Sequence, residues 1–159
     1  MSVRSQGTEL FFVDPDSSEP TVIKVKCPTG LENLNGGTAD QIDKTCLDAE
    51  DNRELEPGLT TPDLVTAPII LDSGNLGHQQ LAALKKSKKT IQWMACLSES
   101  KTKPVLDSDG NLQPTGDRTC IRFSGYVAQY TFSAAGNDVI RPQLGIQVSG
   151  DSEVFWPEA

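Results

Sequence analysis

The stretch TIQWMACL, residues 90–97, alternates without a break: Ile91, Trp93, Ala95 and Leu97 fall on one side, Gln92, Met94 and Cys96 on the other. A period of two marks a β-strand, whose successive side chains point to opposite faces. Met94 and Cys96 are themselves apolar, so the second side faces outward or towards a second layer. Just upstream, DSGNLGHQQLAALKKSKK (72–89) switches period. Leu81 and Leu84 share a face with Gly77, and Asp72, Ser73 or Asn75 supplies an N-cap. Lys85, Lys86, Lys88 and Lys89 crowd the last turn, where cations complement the helix dipole. The spacing predicts the only helix, residues 76–89, feeding a strand.

Outward from this centre the chain reads as further strands. TELFFV (8–13) and TVIKVKC (21–27) flank the turn-forming DPDSSEP (14–20) and predict a hairpin, with Ile23, Val25 and Cys27 on one face. TAPIILD (66–72) is a short strand that Pro68 assigns to an edge or an early position. Residues 98–117 form a polar hairpin tip turning at Asp109-Gly110. TCIRFSGYVAQYTF (119–132) is a long strand that changes phase near Gly125, where a bulge is expected. RPQLGIQVSG (141–150) sets Leu144, Ile146 and Val148 against Gln143, Gly145 and Gln147. Mostly local antiparallel neighbours imply a mainly β fold: an antiparallel β-sandwich or barrel with one flanking α-helix and a long acidic loop after the second strand. At 159 residues the chain is one domain, 1–159.

The charge is unevenly placed. Residues 31–63 hold nine acids and two bases, which is −7 of the net −8. The same stretch carries Gly36, Gly37, Pro57, Gly58 and Pro62, and its apolar side chains are scattered. It reads as a long, mobile acidic loop, a feature that in a compact domain is functional or disordered. A cation site, a solvated loop and a segment that orders against a partner subunit all fit this composition, and the third is favoured because such segments wrap large surfaces on binding. The inter-subunit candidates are Asp40, Asp43, Asp48, Glu50, Asp51, Arg53, Glu54 and Glu56, with Lys24, Lys26, Lys85, Lys86, Lys88 and Lys89 as basic partners.

Catalytic and cofactor chemistry finds no foothold. The single histidine, His78, excludes any site needing two from one chain. No GxxxxGK[ST], GxGxxG after a strand or GxSxG elbow occurs. Cys27, Cys46, Cys96 and Cys120 lack the close pairing of zinc sites, so reduced structural thiols are expected, with Cys27 and Cys96 buried. DSDGN (107–111) has its glycine at the wrong position for a calcium loop. An acidic chain also lacks the basic face of a sequence-independent nucleic-acid binder. Trp93 reads as core, and Trp156 is open between core and a sugar-stacking platform. The longest apolar runs are far short of a membrane span, and a soluble, cytoplasmically made protein is expected.

Taken together, SQGTELFFV, TVIKVKC, QIDKTCLDAEDNRELEPGLTTPD, APIILD leading into GHQQLAALKKSKK, IQWMAC, CIRFSGYVAQY and RPQLGIQVSG resemble a tail tube protein (major tail protein) of a long non-contractile-tailed bacteriophage. The order of elements carries the likeness more than any one motif. The resemblance implies a structural virion protein with no catalysis and no cofactor. It implies hexameric rings stacked into a tube through which DNA leaves the capsid without specific binding. The long loop would contact the neighbouring ring, and the other partners would be the tail tip, tape measure and terminator. A tail-completion or tube-terminator protein of the same fold and a carbohydrate-binding β-sandwich module are the alternatives.

Overall fold

In the computed structural model of the chain, which describes residues 2–14 and 18–158, the alternating central stretch is a strand with partners on both sides. The elements run β1 (Glu9–Val13), β2 (Val22–Lys24), β3 (Gly37–Asp43), β4 (Leu55–Pro62), β5 (Leu64–Pro68), α1 (Leu76–Ser87), β6 (Ile91–Cys96), β7 (Val105–Leu106), β8 (Leu112–Gln113), β9 (Cys120–Thr131), β10 (Gln143–Val148) and β11 (Glu153–Phe155). One seven-stranded antiparallel sheet has the order β2-β1-β6-β9-β10-β5, with β11 added to β9. The expected β1–β2 hairpin is present, although Pro15, Asp16 and Ser17 of its turn lie outside the described residues. The architecture is therefore mainly antiparallel β with one flanking helix.

The sheet curves but its ladder does not close into a barrel. After β2 the chain crosses from one sheet edge to the other. Val25 N donates to Leu10 O, and then Thr29 N donates to Pro68 O and Glu32 N to Thr66 O (2.9, 2.8 and 2.9 Å). Among the described residues, the isolated bridges Pro28–Ile69 and Glu32–Thr66 tie this segment to β5. The crossing ends the register that put Cys27 in line with Ile23: Cys27 has a left-handed φ of 55° and is exposed, against the expectation of burial. Pro68 closes β5, an edge strand, where a missing N–H costs no ladder bond.

Both sides of β6 are buried, as its apolar second side required. Leu10, Phe12, Trp93, Phe123, Leu144 and Ile146 pack beneath Leu81 and Leu84 of α1. Phe11, Met94, Cys96, Leu112 and Cys120 form the second core, against which Leu106 of the short β7–β8 hairpin also packs. Trp93 stacks near Phe12 at 5.2 Å and donates its indole N–H to Gly125 O at 3.1 Å. No disulfide is present, and the Sγ atoms of the paired Cys96 and Cys120 lie 3.0 Å apart. The neighbouring Cys120 thiol and burial push the Cys96 thiol far above its ordinary value, so it stays protonated.

The bulge in β9 is displaced from where the phase change suggested. Gly125 keeps register with both Ile91 and Val148; the slip falls at Ala128, between the pairs Ile146–Val127 and Gly145–Gln129. Gly125 serves close approach instead, since a Cβ there would sit 2.5 Å from Gln147 O. RPQLGIQVSG is not the final strand, because β11 follows it.

α1 starts at Asn75, whose side chain accepts from His78 N at 3.2 Å, and stops at Lys88, a left-handed C-cap whose N–H bonds Leu84 O. It is thus slightly shorter than read, with Lys88 and Lys89 beyond its last turn. His78 is buried and structural: Nδ1 accepts from Asp72 N (3.0 Å), so Nε2 carries the proton and donates to Lys26 O (2.8 Å). No described helix is long and apolar enough to cross a membrane.

Among the described residues, one charged side chain is almost fully buried. Arg118, 1% exposed, donates to Glu9 Oε1 (2.9 Å), Ser100 O (2.7 Å) and Thr102 O (2.6 Å), so it staples loop 98–104 to β1. Burial alone would raise the Glu9 carboxyl, but hydrogen bonds from Lys24 and Arg118 outweigh it and hold the group below its ordinary value. Hydroxyls of Thr102, Thr115 and Ser100 hold the adjacent Asp117 carboxyl well below the usual range.

Candidate assembly surface

The acidic stretch is not an irregular loop. Its centre is the antiparallel ribbon β3–β4, paired from Gly37–Pro62 to Asp43–Leu55 with a slip at Asp40. Thr38, Ile42, Thr60 and Thr61 give the strands β-branched residues, which offset the acidic composition that argued for disorder. Beyond the ladder Thr45 fastens the tip. Its amide donates to Asp43 Oδ1 (3.0 Å), its hydroxyl donates to Glu54 O (3.3 Å), and it accepts from Glu54 N (2.7 Å). The Thr45 hydroxyl and amide hold the Asp43 carboxyl below its ordinary value. At the base, Asn33 and Asn35 take left-handed φ values, and Asn33 Nδ2 donates to Leu64 O at 3.1 Å.

The ribbon has no core. Every residue of β3 is exposed, and no residue of β4 is buried. Yet it presents Ile42 (51% exposed), Leu47, Leu55 and Leu59 (85%) to solvent. A two-stranded ribbon with nothing against it is marginal in water, and four exposed large apolar side chains are a surface awaiting a partner. The sequence reading named the carboxylates here and passed over these four. The signal was available: leucines and an isoleucine dispersed through an acidic stretch are costly unless they are covered.

The structure sorts the named charges. Asp40, Asp43, Asp48, Glu50, Asp51, Arg53, Glu54 and Glu56 all lie exposed on the ribbon or its tip. Lys24 is engaged within the chain by Glu9 at 2.6 Å, and Lys26 pairs with Asp72. Lys85, Lys86, Lys88 and Lys89 are exposed at the end of α1. No described ion pair joins a ribbon carboxylate to Lys24, Lys26, Lys85, Lys86 or Lys88.

The outer face of β5, β10 and β9 has a different character. Rows Leu64–Gln147–Tyr126, Thr66–Gly145–Gln129 and Pro68–Gln143–Thr131 carry no charge. Elsewhere, Trp93 is buried and Trp156 is exposed in the C-terminal tail. A cleft of about 540 Å3 between residues 3–8 and 28–34 contains one arginine, Arg4, and one carboxylate, Glu32, and no nucleophile–base pair. Among the described residues no cluster of histidine, cysteine and carboxylate is arranged to hold a metal.

"Structural protein 3" of Pseudomonas phage PAJU2 is 35% identical over 153 residues, covering 94% of this chain and 91% of that protein. The SPP1 tail tube subunit superposes with a TM-score of 0.67 at 11% identity, over 98% of this chain and 81% of that one. A chain of the anti-feeding prophage baseplate gives 0.69 at 10% identity, over 100% and 99%. These two structural matches speak to the fold. The family described as "Phage tail tube, TTP, lambda-like" matches residues 1–158, and the chain belongs to that family.

Proposed function

We propose that this chain forms six-membered rings and that the β3–β4 ribbon joins each ring to the next. The chain is a structural, self-assembling component of the phage tail conduit and not an enzyme. The observation that carries the ribbon's role is its exposure on both faces together with four uncovered apolar side chains. Its carboxylates Asp40 to Glu56 supply orientation. Exposed ion pairs contribute roughly 0–1 kcal/mol each, so apolar cover and backbone pairing dominate. In the virion the tail tip, the tape measure and the terminator are the further partners, and synthesis is in the host cytoplasm.

DNA passes without specific binding. A duplex sliding past many identical subunits must not release counterions at each ring, because every lysine or arginine contact would hold it. The charge-free face of β5, β10 and β9, with Gln143 and Gln147 at its centre, has the chemistry such a lining requires. The remaining alternative is a terminator of the same fold, which makes one ring and stops.

Deleting residues 40–56 tests the ribbon's role. The expected result is a folded subunit that forms no tubes at concentrations where the intact chain does, read by negative-stain microscopy. Normal tubes from the deleted chain would sink the proposal, and intact chain that makes only single rings favours the terminator reading.

A further inference from the structure

We propose that Cys96 and Cys120 are a latent cross-link: a low-molecular-weight disulfide converts the two thiols into one disulfide that ties β6 to β9. The sheet register brings the pair together. Cys96 ends β6, Cys120 begins β9, and the two stand directly opposite each other. Their Sγ atoms lie 3.0 Å apart. One step beyond, Leu97 N donates to Thr119 O at 2.9 Å. Opposed positions in an antiparallel ladder alternate between two kinds, so Cys96–Cys120 is a non-hydrogen-bonded pair, whose Cα atoms come within about 4.5 Å. That separation falls inside the range of about 4.4–6.8 Å that a disulfide spans. Both side chains enter the second core beside Phe11, Met94 and Leu112, so they leave the sheet on the same face. The bond therefore forms without rearranging the backbone.

The two thiols differ in reactivity and in cover. The adjacent Cys96 thiol, aided by the Arg118 guanidinium, holds Cys120 below its ordinary value against the opposing pull of burial, whereas Cys96 is pushed up. Cys120 is the thiolate that attacks first. Both side chains are buried in the closed subunit, and the strand laid over Cys120 is β11, whose Phe155 pairs with it. β11 has three residues and sits at the edge of β9, so it opens locally far more often than the sheet unfolds. Cys120 Sγ then attacks one sulfur of the small disulfide, which breaks its S–S bond and releases one thiolate. Cys96 Sγ attacks Cys120 Sγ, forms the protein disulfide and releases the second. Two protein thiols are oxidised, one small disulfide is reduced, and both protons end on the released thiols. The cysteines are 24 positions apart, and the closed loop contains the β7–β8 hairpin and Arg118. Closing a loop of that length restricts the unfolded chain and so stabilises the fold. Thiols stay reduced inside most cells and disulfides persist outside them, so compartment sets which state the subunit holds.

The test uses the full chain with Cys27→Ser and Cys46→Ser, which leaves only the proposed pair; both replaced residues are exposed, so the melting temperature should match the parent. Folded protein is incubated with oxidised glutathione. The expected product has lost two hydrogens by intact mass, yields a peptide joining Cys96 to Cys120, and melts roughly 5–10 °C higher, a gain that dithiothreitol reverses. Adding Cys96→Ser should trap glutathione on Cys120, whereas adding Cys120→Ser should leave Cys96 about tenfold slower to react. Phe155→Ala should speed closure several-fold by loosening β11. The parent chain, mapped by peptide after blocking of free thiols, supplies the same cross-link readout without any substitution. Free Cys96 and Cys120 thiols persisting in folded protein under conditions that cross-link the urea-unfolded chain would overturn the proposal. So would glutathione retained on both cysteines, or a bond formed between chains instead of within one.

Discussion

β6 and the β3–β4 ribbon are both antiparallel strands in one chain, and they solve the burial problem in opposite ways. β6 has strands on both edges and a core on both faces, and only Gln92 along it is less than fully buried. The ribbon is longer, has the same backbone pairing, and buries nothing. Backbone hydrogen bonds are thus common to both and cannot be what distinguishes them. Burial is, at about 25 cal/mol per Å2 of apolar surface removed from water. The sheet buries its apolar side chains within the chain; on the function proposed above, the ribbon would gain its apolar burial from another subunit. Stability and association are assigned to separate parts of the chain, and mutations should separate them in the same way.

The largest effect expected is at the centre of the core. Trp93→Ala removes the ring packed on Phe12 and the hydrogen bond to Gly125 O, and should cost about 3–5 kcal/mol in urea unfolding. A cost below about 1 kcal/mol would contradict the assignment of stability to this layer. Arg118→Ala should be nearly as severe, about 3–5 kcal/mol, because it leaves Glu9 half-paired and three carbonyls without their donor. The acid limb carries a signature of the same group. Glu9 is held below its ordinary value when folded, so its contribution is complete above about pH 4.3 and is lost as pH falls further. Glu9→Gln should flatten that part of the stability profile.

Smaller effects mark the boundary. Asn75→Ala removes the α1 cap bond to His78 N and should cost about 1 kcal/mol by thermal melting. Replacing Asp48, Glu50 and Asp51 by their amides should leave monomer stability within about 0.5 kcal/mol, since nothing near them is buried. The same triple variant should slow tube growth at low salt, read by light scattering. A stability loss from it would show that the ribbon belongs to the monomer's folding unit.

Much of the sheet was legible because its strands obey a period of two and its helix does not. Ile91 to Cys96, Leu144 to Val148 and the Asn75 cap all stand where alternation and capping chemistry put them. Two failures have definite causes. Cys27 continued an alternating pattern, but a crossover of the chain ended the strand first, and periodicity carries no information about where a chain changes sheet edge. The ribbon was read as irregular because composition outweighed its threonines and Ile42. Arg118, in GDRTC, has no motif at all; only the folded chain brings Glu9 to it.

Hydrogen exchange read by mass spectrometry, on monomer and on assembled tubes, tests the division most directly. Amides of β6 and β9 should exchange slowly in both states, at the rate of global opening. Amides of β3 and β4 should exchange fast in the monomer and become strongly protected in the tube. A ribbon already as protected in the monomer as β6, or one that stays fast after assembly, would contradict the claim that the subunit's partner is what covers it.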